Sequence, residues 1–209
     1  MNAIPRRGRP TPEQAQALSR SILDAAAELM LRHGYAGASL AAIAQRAGVT
    51  KRTIYARFGA KENLLRAVLA AIRDKLTLHY RPPAQGDARV LLEHLGNHLL
   101  GQLSRPAMVA WCRFTSVEMG RSPEFAELVH PLMDGVYAFV ETMLRELARD
   151  HRLPIADAAL AARLFVMLVG EPMKQHAFFY MSLGTAAQRR EHVRRMVGVF
   201  LAAARAGEI

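Results

Sequence analysis

Apolar residues recur along this chain at intervals of three and four, the spacing of one face of an α-helix. The first such stripe runs through Leu18, Ile22, Ala26 and Leu29. We find no run in which β-branched residues alternate with polar ones, as strands would require. Alanine, leucine and arginine, all good helix formers, dominate the composition. The pattern therefore predicts an all-α protein.

Four helices are expected in the first 80 residues. Thr11 can cap the first of them, and Gly34 can end it in the left-handed conformation that glycine adopts readily. Gly48 breaks the pattern again and separates two short helices. The predicted spans are 12–33, 40–47, 51–58 and 61–79.

The clearest break in the chain is the stretch 81–86, which holds two prolines and a glycine. We place a domain boundary here, between residues 1–80 and 81–209. Pro172 is expected to kink or split one of the later helices. Five further helices, about nine in all, are predicted over 87–103, 106–120, 123–150, 156–182 and 185–205.

The most informative segment is 39–58, in which two short helices meet at a tight turn. Ala44 and Ala47 allow the helices to approach closely, and glycine occupies the turn. Ile43 and Ile54 are expected to point inward. Small residues at the crossing, glycine in the turn and a polar outer face are what a helix-turn-helix needs. The sequence therefore predicts an N-terminal three-helix DNA-binding domain followed by a C-terminal helical bundle.

The outer face of the second short helix carries hydroxyl groups, long cations and one aromatic ring. Arginine and lysine can read guanine in the major groove, and hydroxyls suit phosphate oxygens. The alternative is the solvated face of an ordinary short helix. The residues of this face are Thr50, Lys51, Arg52, Thr53, Tyr55 and Arg57.

The formal net charge of +10 is unevenly distributed. Residues 1–80 hold 13 lysines and arginines against 5 acidic residues, whereas residues 81–209 hold 15 against 13. A local excess of this kind suits a polyanion. A generally basic proteome would raise arginine everywhere and would not produce the asymmetry, so the charge pattern favours a nucleic-acid partner.

The stretch from Ile22 through Ala67 resembles the DNA-binding domain of the TetR family of transcriptional regulators. The resemblance rests on Gly34 followed by an aromatic residue, Ala47-Gly48-Val49, and Lys61-Glu62 before Leu64. Further matching residues are Gly37, Ser39, Ile43, Ala44, Thr50, Tyr55 and Phe58. The resemblance implies a repressor that binds a palindromic double-stranded DNA operator as a homodimer and is released by a small, largely apolar effector.

The resemblance also implies roles for single residues. Ser39 would contact a phosphate, and Lys51, Arg52 and Thr53 would face the major groove. The remaining backbone contacts would come from Thr50, Tyr55, Arg57 and Lys61. An arm that carries Arg6, Arg7 and Arg9 would enter the minor groove, or would be a tail with a weak electrostatic effect.

Methionines and aromatic residues are concentrated after residue 80, where they can line an effector pocket or fill an ordinary core. The candidates for effector binding are Met108, Trp111, Phe114, Met133 and Phe165. Apolar stripes on the last two helices can face a second subunit or the core of their own. The candidates for the dimer interface are Leu164, Met167, Val193, Val197, Phe200 and Leu201.

Other classes of function find little support. No pattern of catalytic residues or phosphate-binding loop is present, so an enzyme, a cofactor and a metal site are not expected. His94 and His98 have metal-compatible spacing but lack further ligands. A regulator controlled by a protein partner remains the alternative. No apolar run reaches the ~18 residues of a membrane span, and Cys112 is the only cysteine, so we expect a cytoplasmic protein without a membrane partner.

Overall fold

A computed structural model of the chain describes residues 11–77, 80–151 and 153–209. These residues contain nine α-helices and no strand, which confirms the predicted all-α fold. The helices are α1 (Pro12–Gly37), α2 (Leu40–Arg46), α3 (Lys51–Phe58), α4 (Lys61–Thr77), α5 (Ala88–Leu103), α6 (Pro106–Arg121), α7 (Pro123–His151), α8 (Ala158–Phe179) and α9 (Ala186–Arg205).

Internal contacts divide the chain into two compact units, Met1–Val68 and Leu69–Ile209. The division falls within α4, earlier in the chain than the Arg81–Gly86 stretch at which the sequence predicts a boundary. The prolines of that stretch end the helical pattern, but the apolar residues that follow Val68 in α4 already pack with the second unit.

The first unit is built around a small core of fully buried side chains. Thr11 caps α1 by accepting the N–H of Gln14 in a capping box. Gly34, with φ of 74°, interrupts regular helical geometry where the sequence predicts the end of the helix. The last turn then closes through the Ala38 N–H, which donates to the Gly34 carbonyl over 3.2 Å. The core consists chiefly of Ile22, Ala26, Met30, Ile43, Ile54, Leu64 and Leu65.

The second unit packs α5, α8 and α9 closely around one apolar core. Gly96 of α5 makes this possible, because a Cβ there would lie 2.7 Å from Val193 of α9 and 3.3 Å from Val169 of α8. The rings of Phe165 and Phe200 meet edge to face at 5.3 Å between centroids. A larger residue at position 96 would therefore force the three helices apart.

The sequence predicts that Pro172 kinks or splits α8. The helix runs through Pro172 as one element, so of these two alternatives the split does not occur. It ends at Phe179 rather than at 182, because Tyr180 adopts a left-handed conformation with φ of 56°. Arg113 of α6 holds this end by donating to the carbonyls of Ala177 and His176 over 2.8 and 3.0 Å. None of the helices in the described ranges is both long and apolar enough to cross a bilayer.

Candidate nucleic-acid interface and ligand cavity

Ser39 holds the start of α2. The Ala42 N–H donates to its hydroxyl oxygen over 3.1 Å, and the side chain is exposed. A hydroxyl has one proton to donate and two lone pairs. Ser39 therefore keeps its O–H proton for an outside acceptor while it caps the helix, which is the geometry that a phosphate contact requires.

The turn between α2 and α3 depends on Gly48, whose φ of 68° lies in the left-handed region. The Val49 N–H reaches back to the Ala44 carbonyl over 2.9 Å and closes the turn. Ile43 and Ile54 are almost fully buried on either side of it, as the sequence predicts. These buried side chains fix the orientation of α3, so its opposite face points to solvent.

Thr50 caps α3 by accepting the Thr53 N–H over 3.1 Å. The hydroxyls of these two threonines also lie 3.0 Å apart, and either can be the donor. One of the two hydroxyls therefore retains a proton for an external acceptor. Thr50 is exposed and Thr53 is half-buried.

The charged face of α3 is formed by Lys51 and Arg52, both exposed. Neither side chain makes a hydrogen bond or ion pair with another described residue. Tyr55 lies beside them and is 54% exposed. The structure thus brings the three residues expected to read bases together on one short helix, and the cationic groups of Lys51 and Arg52 are unengaged.

Two of the side chains expected to contact the DNA backbone form hydrogen bonds within the first unit. Arg57 donates to the Ala15 carbonyl over 3.1 Å and to the Ser19 hydroxyl over 2.7 Å, which braces α3 against α1. Lys61 donates to the Ala36 carbonyl over 3.2 Å, and its ammonium group lies 4.7 Å from the centroid of the Tyr35 ring. If Arg57 and Lys61 also contact phosphates as predicted, their guanidinium and ammonium groups must bind the phosphate and these protein acceptors at the same time.

The neighbourhood of Tyr35 is partly desolvated and includes an acidic residue. Burial, together with the charge of Glu62 and the hydrogen bond that the phenol donates to its carboxylate, raises the pKa of Tyr35 to about 12. The phenol therefore stays neutral at all physiological pH values. The predicted minor-groove contacts of Arg6, Arg7 and Arg9 lie outside the described residues.

The second unit contains a largely apolar cavity with a volume of about 260 Å³. Of the five residues predicted to bind an effector, Met108, Trp111 and Met133 line it. Phe114 and Phe165 do not belong to its lining. Both rings are buried against other aromatic rings instead, since Phe114 meets Trp111 edge to face at 5.1 Å.

One polar residue of the cavity, Lys174, was not expected from the sequence. It is half-buried and is the only charged residue among the described lining residues. Burial raises the pKa of the neighbouring Cys112 thiol, while the positive charges of Lys174 and Arg113 act in the opposite direction. The only feature of the sequence that could have pointed to Lys174 as a cavity residue is its position as a lysine within the apolar stretch of α8.

The candidates for the dimer interface separate into two groups. Leu164 is half-buried, and Met167 is 52% exposed. The other four lie in the core of their own subunit, at 0–2% exposure, so they have no surface to offer a second subunit. These four are Val193, Val197, Phe200 and Leu201. The helical spacing of the apolar residues in α9 correctly predicted an apolar face, and this face packs against α5 and α8.

Two family models match the chain over most of its length. The model described as bacterial regulatory proteins of the tetR family matches residues 22–68, the stretch that contains the helix-turn-helix. The model described as the AefR-like transcriptional repressor C-terminal domain matches residues 90–206, more than half of the chain.

Individual relatives agree with the family models. The regulator SrpR of Pseudomonas putida is 38% identical over 74 residues, which is 35% of each chain, so this similarity spans little more than a third of the relative. The regulator BetI of Paraburkholderia xenovorans is 31% identical over 168 residues, 75% of this chain and 85% of the relative. The solved structure of the flavonoid-responsive regulator FrrA has a TM-score of 0.74 and 26% identity, and the match covers 90% of this chain and 97% of that one.

These matches cover both the helix-turn-helix and the C-terminal bundle. They are to DNA-binding regulators rather than to enzymes, which agrees with the exposed cationic face of α3. The chain belongs to the TetR family of transcriptional regulators.

Proposed function

We propose that this regulator is a repressor, acting in the cytoplasm, that binds a palindromic operator as a homodimer and leaves it when a small, largely apolar effector binds. In the bound dimer the two copies of α3 would enter successive major grooves, about 34–36 Å apart. An effector that favours a different spacing would lower operator affinity by shifting the population of conformations.

The observation that carries this proposal is the exposed face of α3. Lys51 and Arg52 are exposed, and neither is engaged with another described residue. A lysine or arginine that is free to form a bidentate contact with guanine contributes about 1–3 kcal/mol of discrimination against the wrong base pair. The hydroxyls of Ser39 and Thr50 flank this face at two helix starts, where phosphate oxygens are favoured.

Exposed apolar side chains on the last two helices support the dimer. Leu160 and Met167 of α8 are 43% and 52% exposed, and Val199 of α9 is 52% exposed. Leu164 lies between the first two at helical spacing and is half-buried. A symmetric four-helix contact between two copies of this surface would remove these side chains from water. We define Leu160, Leu164, Met167 and Val199 as the α8–α9 stripe.

The cavity of the second unit supports control by a small molecule rather than by a protein partner. Its volume of about 260 Å³ exceeds the ~150 Å³ of an engineered cavity that binds benzene. Leu69, Ile72 and Leu76 of α4 form part of its wall. A ligand in the cavity would therefore act directly on the helix that begins at Lys61.

The proposal is tested by measuring affinity for the DNA flanking the gene as a function of salt. A protein that makes six to ten phosphate contacts loses about 10³–10⁵ in affinity between ~50 and ~200 mM salt. We expect a steep loss for a near-palindromic site and weaker binding to a scrambled site of equal length. A flat salt dependence, or equal affinity for both sites, would contradict the proposal.

A further inference from the structure

The cavity of the second unit combines an apolar wall with a single cation. Most of the lining side chains, among them Met133 and Val169, are apolar, and Ser116 adds one hydroxyl group. Thr115 also lines the cavity, but its hydroxyl bonds to the backbone carbonyls of Trp111 and Cys112 at 3.0 and 3.1 Å. A ligand would therefore meet mainly hydrophobic surface, and Lys174 is the one charge among the described lining residues.

The two cations near Cys112 differ in whether they have acceptors. Arg113 donates to the carbonyls of Ala177 and His176, and its guanidinium carbon lies 4.5 Å from the centroid of the Tyr180 ring. Lys174, in contrast, makes no hydrogen bond or ion pair with any other described residue. The half-buried side chain of Lys174 thus brings to the cavity wall a cation that has no acceptor among the described residues.

The charged residues of the cavity wall indicate which charge a ligand should carry. No acidic residue is present among the described residues that line the cavity. An ammonium ligand would meet repulsion from Lys174, and a neutral apolar ligand would leave the lysine unpartnered. A carboxylate would accept a charge-assisted hydrogen bond from it, which is about twice as strong as a bond between neutral groups.

We propose that the cavity binds a small amphipathic monocarboxylate, with its apolar body against Trp111 and Met133 and its carboxylate at Lys174. The proposal rests on the proposed function, since it names the chemical class of the effector. The volume of about 260 Å³ exceeds the ~150 Å³ of an engineered cavity that binds benzene, so there is room for a ligand larger than a single aromatic ring.

The test uses octanoate, octan-1-ol and octyltrimethylammonium, which share an alkyl chain and differ in charge. Trp111 is the only tryptophan and lines the cavity, so its fluorescence reports binding without DNA. We expect the wild-type protein to bind octanoate at least tenfold more tightly than the alcohol and to bind the cation most weakly. The reverse order, or no change in fluorescence with any of the three, would overturn the proposal.

Substitutions at Lys174 supply a second arm. Lys174→Met should weaken octanoate binding about tenfold and change octan-1-ol binding less than about twofold, because only the charged hydrogen bond is lost. Lys174→Arg should retain octanoate. Lys75→Met is the matched control, since Lys75 is exposed, lies outside the cavity lining and carries the same charge. Equal octanoate binding by Lys174→Met and Lys75→Met would overturn the role of Lys174. If Lys174→Met does not fold, the binding of the three ligands to the wild-type protein and to Lys174→Arg still tests the proposal.

Operator binding separates this inference from the proposed function. Octanoate binding that depends on Lys174 but leaves operator affinity unchanged would support the ligand class and contradict release by the effector. Salt-dependent operator binding without any response of Trp111 to octanoate would support a DNA-binding regulator and overturn the ligand class.

Discussion

The DNA-binding unit and the cavity-bearing unit place their candidate functional side chains in opposite ways. In the first unit they come from Ser39 to Lys61, a short stretch of sequence, and most point outward. In the second unit the cavity wall draws on residues from Leu69 to Phe178, and they point inward. A surface built from one short segment can be recognised from that segment, whereas an interior wall exists only once distant helices have packed.

The two units also differ in how charge is used. The first unit displays its cations to solvent, where Lys51 and Arg52 can meet a polyanion. The second unit has one cation at an apolar wall, where the loss of water makes a single anionic partner worth more than at the surface. Substitutions at outward and inward positions should therefore have different effects.

Phe200→Glu should unfold the second unit, and Val199→Glu should not. Phe200 is 1% exposed against Phe165, whereas its neighbour Val199 is 52% exposed. Loss of the buried ring alone costs about 3–5 kcal/mol, and an unpaired buried charge adds more. Thermal unfolding followed by circular dichroism should show loss of helicity only in Phe200→Glu. A folded Phe200→Glu protein would mean that the α9 core face is a dimer surface after all.

Met167→Glu should give a folded protein that sediments as a monomer and binds the full operator weakly. Met167 is 52% exposed on the α8–α9 stripe, so the charge harms only a surface that a second subunit covers. Val117→Glu is the matched control, because Val117 is similarly exposed at 53% but belongs to α6. If Met167→Glu remains dimeric, the stripe is not the interface.

Arg52→Ala and Arg57→Ala should separate base reading from support of the fold. Arg52→Ala should relax discrimination at one base pair of each half-site by about 1–3 kcal/mol without changing stability. Arg57→Ala removes hydrogen bonds to Ala15 and Ser19, so it should lower the free energy of unfolding by about 1 kcal/mol. Binding to a panel of single-base operator variants, together with urea unfolding, measures both. Identical base preferences in the two variants would refute this assignment.

Gly48→Ala and Gly101→Ala should shift stability by small amounts in opposite directions. A Cβ would meet nothing within 4 Å at either position, so backbone conformation alone decides. Gly48 has a φ of 68° and lies in the turn, where alanine should destabilise by about 1–2 kcal/mol. Gly101 lies within α5, where alanine should stabilise by about 0.5–1 kcal/mol. Urea midpoints of the two variants give the sign, and equal shifts would contradict the argument.

Local signals account for the parts of the fold that the sequence predicted. Capping residues such as Thr50, and glycines such as Gly34 and Gly48, act on their immediate neighbours, so helix positions could be derived from them. The end of α8 could not be derived, because Arg113 stabilises it from another helix. Lys174 was missed for the same reason, since its surroundings come from several helices.

The apolar stripe of α9 shows a second limit of sequence patterns. Periodicity identifies an apolar face but contains no information about what covers it. Val193, Val197 and Phe200 were candidates for an interface, with the core of their own subunit as the alternative, and they lie in that core, while Val199, off that stripe, is 52% exposed. The distinction depends on Gly96, which lets α5 approach α9 and cover the face.

Ser39 and Thr50 each hold a helix start with the same oxygen that lies at the outer surface. A substitution at either position that alters an operator contact also loosens a helix end, by about 1 kcal/mol for a lost cap. The side chains of Lys51 and Arg52, in contrast, form no hydrogen bond or ion pair with other described residues. Under the proposed function, new operator preferences are therefore accessible to evolution at these two positions with little effect on folding. A library randomised only at Lys51 and Arg52 would explore altered specificity within a folded scaffold.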